Sequence, residues 1–373
     1  MEHLLAQDIA MMERALTLAT HARIIAPPNP WVGCVIVNDG KIVGEGFTHA
    51  PGGPHAEIVA LSNAKNHTKG ATVYVTLEPC AHFGRTPPCV NALIEAGVSR
   101  VVIGVQDPDE NVQGKGLARL HEAGIQITKG ILFTAISESL ASYLHHRKTG
   151  LPYCLLKGAI SVDGRLAAQD GTSQWISSRE ALADCHQIRA ESQAILVGSG
   201  TALADTPTLN VRGVPEQPAT PPLRVILDTQ GKVPANGPLF DTSIAPTLII
   251  TSPNCPEEVR QTWLSRGVQV ETVPIAKNGV GLDLHKVLII LGRRRILQLM
   301  IEGGGAIFGA FLEARIVDHL SLFIGGCILG NGGIPLFATE SITTLKESPQ
   351  LQLVGSKILG NSVRLDYKIG RNS

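Results

Sequence analysis

His55-Ala56-Glu57 and, further along the chain, Pro79-Cys80 and Cys89 supply one imidazole, one carboxylate and two thiols from three short segments. Two thiolates and one histidine make three of the four ligands of a tetrahedral zinc ion, and a fourth position left to water distinguishes a catalytic site from a structural one. A water held there becomes acidic enough to give hydroxide near neutral pH. Glu57, two residues from the histidine, is then available to carry protons rather than to bind metal. Pro87-Pro88 suits the first turn of a helix starting near Cys89, and the positive end of a helix favours both thiolate and hydroxide.

H-x-E with P-C-x-x-C is the recognised pattern of zinc deaminases. Here its second part is stretched to PCAHFGRTPPC, with eight residues between the cysteines. Three plainer readings compete. A Cys80–Cys89 disulfide is sterically feasible, but seven scattered cysteines, an odd number, suit a reducing compartment. A closed structural zinc site needs a fourth protein ligand from His82, His49 or Cys34, and it leaves Glu57 without a task. Unliganded core cysteines leave the H-x-E at a helix start unexplained.

A second candidate lies far downstream, where the strand-like LQLMIEG runs into Gly303-Gly304-Gly305 and the helix-like AIFGAFLEA. Strand, glycine turn and helix together aim backbone N–H groups at a phosphate. The run is not G-x-G-x-x-G, since Phe308 stands where the last glycine would be, and no G-K-S/T follows. By itself it is equally well a structural turn.

The elements that must hold these residues alternate. Asp8 is expected to cap a first helix with Ile9, Met12, Leu16 and Ala19 on one face. WVGCVIV, NDG and KIVGEG read as strand, turn and strand. A helix from His55, a strand ATVYVTL, a helix from about Pro88, a strand RVVIGV, a helix from about Lys115 and a short strand IQITKG follow. The polar HHRKTGLP breaks the pattern and closes a first unit, residues 1–149. A second, 150–373, has strand-like LPYCLLKGAIS, AILVGSG, LRVILD, PTLIIT, VQVETV, LQLMIEG and HLSLFIGG. Helical stretches lie at Ser178–Glu191 and Pro256–Arg266, and the antiparallel pair LQLVGSKI/SVRLDYKI comes last. At 373 residues, two domains of about 150 to 200 residues are expected, in the α/β class. A net charge of zero speaks against nucleic acid or an anionic membrane as partner. The acidic N-terminus and the short apolar runs predict neither a signal peptide nor a membrane span, hence a soluble cytoplasmic protein.

PHAEIVAL followed by TLEPCAHFGRTPPC, with NPWVGCVIV upstream and QDPDENVQGKG downstream, resembles the deaminase domain of the bifunctional riboflavin biosynthesis deaminase/reductase family. KGAISVDGRLA, SQWIS, IRAESQAILVGSGTALADTPTLNVR and IEGGGAIFGAFLEARIVDHL resemble its reductase domain, so the likeness covers nearly the whole chain. The resemblance implies an N-terminal cytidine-deaminase-like α/β/α sandwich followed by a C-terminal dihydrofolate-reductase-like α/β domain. It implies one Zn2+ held by His55, Cys80 and Cys89, with Glu57 as proton shuttle and with Asn29 and Arg85 on a phosphorylated pyrimidine. It further implies NADPH at Ala159, Trp175, Thr201, Asp205 and the run Gly304, Gly305, Ala306, Ile307, Phe308, Gly309 and Ala310. Substrate would lie at Lys157, Ser173, Arg189, Leu209, Arg212 and Glu302. The arginines would grip a phosphate, and Glu302 would accept from sugar hydroxyls. Val59 stands where the family often has a second histidine. The implied reaction is zinc-dependent deamination of 2,5-diamino-6-(5-phosphoribosylamino)pyrimidin-4-one, then NADPH-dependent reduction of the ribosyl group. Oligomeric state stays open, a homo-oligomer included. Two other readings stay open: a nucleoside or RNA-base deaminase with an accessory domain, and a zinc-stabilised binding protein with both sites dead.

Overall fold

The computed structural model describes residues 2–81, 87–109, 112–338 and 342–370. The chain divides into two compact units, Met1–Gly150 and Leu151–Ser373.

In the first unit, α1 (Glu2–Ala22) precedes the hairpin β1 (Gly33–Asn38) and β2 (Lys41–Phe47). Asp39 and Gly40 both take positive φ, as a two-residue hairpin turn requires. There follow α2 (Ala56–Ala64), β3 (Thr72–Leu77), α3 (Cys89–Glu95), β4 (Arg100–Val105), α4 (Lys115–Glu122), β5 (Gln126–Lys129), α5 (Phe133–Ser139) and α6 (Ala141–Thr149). The sheet runs β2-β1-β3-β4-β5, antiparallel across β1 and parallel from β3 to β5. Helix α2 lies directly on β2: a Cβ on Gly44 would stand 2.2 Å from the Ala60 carbonyl oxygen, and one on Gly46 2.5 Å from that of Ala56. Small residues on both surfaces therefore set how closely α2 packs on β2.

Asp8 does not cap α1. It lies inside the helix on the buried face, which carries Met12, Ala15, Ala19 and Ala22, whereas Ile9 and Leu16 are only half-buried. Its carboxylate accepts two hydrogen bonds from Arg100, at 2.8 and 2.7 Å, and one from the Tyr74 hydroxyl at 3.0 Å. These partners meet the needs of a buried charge, so the residue is free to sit mid-helix. The helices α5 and α6, absent from the sequence expectation, fill the stretch before the boundary. Polar HHRKT belongs to α6, which buries His146 and stops at Gly150 in the left-handed conformation.

The second unit contains β6 (Tyr153–Ser161), β7 (Arg165–Ala167), α7 (Arg179–Ala190), β8 (Ala194–Gly198), α8 (Ser199–Asp205), β9 (Leu223–Leu227), β10 (Thr247–Thr251), α9 (Glu257–Ser265), β11 (Gln269–Thr272), α10 (Leu284–Arg293), β12 (Gln298–Ile301), α11 (Gly305–Glu313), β13 (His319–Gly325), β14 (Ile334–Pro335), β15 (Leu351–Leu359) and β16 (Ser362–Ile369). Nine strands form one sheet, β11-β10-β9-β8-β12-β6-β13-β16-β15, parallel as far as β13 and antiparallel beyond it. Strands β8, β9, β10 and β12 are buried along their whole length, as expected where helices cover both faces. Arg224 survives in the middle of β9 because its guanidinium donates to the carbonyls of Pro238 (2.7 Å), Asp241 (2.9 Å) and Ala245 (2.6 Å). The segment 276–295 supplies α10, capped by Asp283 through the Lys286 N–H at 3.2 Å, and buries Val287, Leu288 and Leu291 in the main core.

Removing one partner of a buried ion pair typically costs about 3–5 kcal/mol, against about 1 kcal/mol or less for an exposed pair. Asp8→Ala is therefore expected to lower the unfolding midpoint far more than Glu45→Ala, which breaks the exposed Arg14–Glu45 pair. Chemical denaturation of the two variants checks this.

Candidate active sites

His55 stands at the N-cap of α2, Cys80 just beyond β3, and Cys89 opens α3. The three meet: the His55 Nδ1 lies 3.6 Å from Cys80 Sγ and 3.3 Å from Cys89 Sγ, and all three donor atoms fall within 4.8 Å of one another. Tetrahedral zinc bonded to imidazole nitrogen and thiolate sulfur sets those two atoms about 3.5 Å apart, so the cluster fits the ion. Among the described residues no fourth histidine, cysteine or carboxylate joins it; Cys34 and His49 stay outside. His82 and Arg85 lie outside the described residues.

The electrostatics suit a metal. A hydrogen bond from Cys89, and one from His55, draw the Cys80 thiol down to about 4 despite burial, and the Cys89 backbone N–H also donates to its sulfur at 3.3 Å. Cys89, facing Cys80 from within the core, is pushed up. A dication held by these residues would remove that difference by keeping both thiols deprotonated. Glu57, on the first turn of α2, is buried beside them. Burial and the neighbouring Cys80 raise its carboxyl to about 7, the range in which a group can both take and give a proton at neutral pH. Val59 packs over Gly46, where a Cβ would come within 2.7 Å of its own. Asn29 lies on the turn after α1, its N–H bonded to the Ala26 carbonyl at 2.9 Å.

In the second unit a cavity of about 540 Å3 opens at the carboxyl ends of β6, β8 and β12, where ligands of parallel α/β sheets bind. Lys157, Ala159, Ser173, Trp175, Thr201, Asp205, Glu302 and residues 303–308 line it, with Trp175 78% exposed. Its size suits a cofactor. A side chain on Gly200 would meet nothing within 4 Å, and one on Gly304 only the Thr201 hydroxyl at 3.6 Å, so the backbone beside the first turn of α11 is open to close approach by a ligand. A pyrophosphate group fits there, as NADPH would require. Gly309 and Ala310 do not line it: Ala310 is exposed, and Gly309 packs under the Ala338 carbonyl, where a Cβ would come within 2.2 Å. Gly305 is equally confined beneath the Pro335 carbonyl oxygen, at 2.9 Å. The segment 334–338, anchored by pairing of β14 with β7, thus lies along the back of α11.

Glu302 borders this cavity, whereas Arg189 does not line it; the two side chains pair with each other. The Arg189 Nε and Nη2 donate to the two carboxylate oxygens at 2.6 and 2.7 Å, and both side chains are largely buried, at 13% and 9% exposure. Burial alone would raise Glu302, but the guanidinium overrides it and holds the carboxyl at about 2. The remaining Nη1 donates to the Asn210 carbonyl at 3.1 Å. Leu209 sends its side chain into the core with a left-handed backbone, while Arg212 is exposed. Two further residues stand here that sequence reasoning passed over. His186, one turn before Arg189, accepts from the Arg212 N–H through Nδ1 at 3.2 Å, and the buried Asn210 Oδ1 has no partner among the described residues. The only signal for His186 in the sequence is its i, i+3 spacing from Arg189.

Residues 152–365 match the family described as the RibD C-terminal domain, and residues 5–105 the cytidine and deoxycytidylate deaminase zinc-binding region. The chain belongs to the RibD family. It is 44% identical to the riboflavin biosynthesis protein RibD of Chlamydia pneumoniae, over 99% of this chain and 97% of that one. With RibD of Escherichia coli K12 it shares 40% identity, over 96% and 98%. The RibD structure from Acinetobacter baumannii superposes with a TM-score of 0.89 at 34% identity, covering 98% and 99% of the two chains. A Thermotoga maritima structure described as a diaminohydroxyphosphoribosylaminopyrimidine deaminase/5-amino-6-(5-phosphoribosylamino)uracil reductase gives 0.84 at 30%, covering 99% and 100%. As a RibD-family enzyme the chain joins a zinc-dependent deaminase to an NADPH-dependent reductase in riboflavin biosynthesis. No described helix is long and apolar enough to cross a membrane.

A carboxyl raised on folding binds a proton that the unfolded chain has released, so stability falls as pH rises from about 4.5 to 7 and stays low above. In chelator-treated protein, Glu57→Gln is expected to stabilise at pH 8, on the order of 2 kcal/mol. The gain should fade toward pH 4.5. Thermal melts of the metal-free pair across this range check the sign.

Proposed function

We propose that the N-terminal unit deaminates 2,5-diamino-6-(5-phosphoribosylamino)pyrimidin-4-one and that the C-terminal unit reduces the ribosyl group of the product, 5-amino-6-(5-phosphoribosylamino)uracil, to ribityl. The observation that carries this reading is the convergence of His55, Cys80 and Cys89 beside buried Glu57. The glycine-lined cavity of the same chain supports the second step.

In the deaminase, His55, Cys80 and Cys89 hold the zinc, which when bound supplies the Lewis acid that activates water. Glu57 would pass one proton of that water to the ring nitrogen and the other, from the hydroxyl so formed, to the departing amine, so that the water oxygen stays on the ring as the carbonyl and ammonia leaves. Asn29 and Arg85 are assigned to the pyrimidine and its ribosyl phosphate. In the reductase, Ala159, Trp175, Thr201, Asp205 and residues 304–308 hold NADPH, which supplies a hydride to C1 of the ribosyl group. Breaking the bond from C1 to the ring oxygen leaves an alkoxide that needs a proton. Lys157 is the one basic residue lining the cavity among those described, and we assign it that proton. Ser173, Leu209 and Arg212 border the substrate, with Arg212 on its phosphate. Glu302 faces the ribosyl hydroxyls while Arg189 keeps it ionised; Gly309 and Ala310 act behind the cofactor, not on it.

Seven free cysteines favour the cytoplasm. The edge strand β15 exposes Leu351, Leu353 and, at 85%, Ile358, which favours a homo-oligomer formed there. Ile358→Asp should then lower the mass measured by light scattering.

Glu57→Gln, or removal of zinc, is expected to lower ammonia release at least about 100-fold. NADPH consumption on supplied 5-amino-6-(5-phosphoribosylamino)uracil should persist. A coupled assay reads both, and near-normal ammonia release from the variant would defeat the assignment.

A further inference from the structure

One turn of α7 holds the segment Leu209–Arg212 at two backbone points. Arg189 donates to the Asn210 carbonyl at 3.1 Å, and His186 accepts from the Arg212 N–H at 3.2 Å. Leu209 anchors the same segment in the core. What remains is the exposed Arg212 side chain, a cation on a backbone held at two points. We propose that His186 is a positioning residue of the reductase, which sets the Arg212 guanidinium where the substrate phosphate arrives. The inference rests on the reading that Arg212 meets that phosphate.

The chemistry at His186 fits such a role better than it fits packing. The imidazole is 5% exposed. It shares its surroundings with Arg189, Arg212 and Glu302, and the bidentate pair neutralises the first and last of these. Burial and the two arginines draw it down to about 4, so Nδ1 remains an acceptor at any pH where the enzyme works. An apolar residue of similar volume would take from the part-buried Arg212 N–H the acceptor that His186 gives it, and losing that bond frees the segment to shift. With Arg189 committed to Glu302, the phosphate depends on Arg212 more than a pocket with two free arginines would. Its placement therefore matters for binding and not for hydride transfer.

The test measures KM for 5-amino-6-(5-phosphoribosylamino)uracil, kcat, and the Kd for NADPH by fluorescence titration in the full-length, zinc-loaded enzyme. His186→Leu is expected to raise substrate KM about tenfold, the loss of roughly one buried hydrogen bond, with kcat and NADPH Kd within about twofold of the parent. His186→Asn, whose Oδ1 can take the place of Nδ1, should recover most of the loss. An unchanged KM in His186→Leu, or an Asn variant no better than Leu, would overturn the proposal. So would parallel loss of NADPH binding in both His186→Leu and His186→Ala, the mark of a packing residue. Arg212→Ala separates the two levels: if it leaves KM unaltered, the phosphate reading fails first, and if it raises KM while His186→Leu does not, only the role of His186 fails.

Discussion

A carboxylate taken out of water must either find a positive partner or keep its proton, and both halves of this enzyme are arranged around that choice. Glu57 is buried beside thiols and has no arginine, so it holds its proton up to about pH 7 and is fit to shuttle it. Glu302 is buried against Arg189 in a bidentate pair, so it stays ionised and can only accept hydrogen bonds. The same residue type is driven to opposite protonation states because one neighbour differs. Asp8, held by Arg100 and Tyr74, is the purely structural version of the second case.

The backbone serves those carboxylates. Glycines in β2 let α2 approach until its first turn brings His55 and Glu57 over the sheet, while the end of β3 and the start of α3 bring the two cysteines to the same spot. In the second unit the ends of β6, β8 and β12 deliver Lys157, Gly198 and Glu302 to one cavity, with α7 supplying Arg189 from the side.

What could be read from the sequence follows the range of each interaction. The cluster of His55, Cys80 and Cys89 was legible because H-x-E and the cysteine loop are local signals, each within a dozen residues. The main strands were legible from their apolar runs. The role of Asp8 was misread because an N-cap and a buried ion pair use the same side chain, and the deciding partner is 92 residues away. The Arg189–Glu302 pair spans 113 residues, so each looked like an independent pocket residue. His186 carried no motif at all. The helix α6 was hidden by the polar run HHRKT, of which the fold buries His146, and the stretch that forms α10 was assigned no element. The glycine run was read as one functional unit, though Gly304 faces open space while Gly305 and Gly309 face another backbone.

That last division bears on thermodynamics. With 334–338 laid along α11, the glycine turn proposed for the cofactor is braced from behind by the fold itself. The conformational entropy of shaping it is lost during folding rather than during association. Cofactor capture by such a turn is a docking event between rigid partners, and the affinity it can reach is limited by contacts, not by the ordering of a loop.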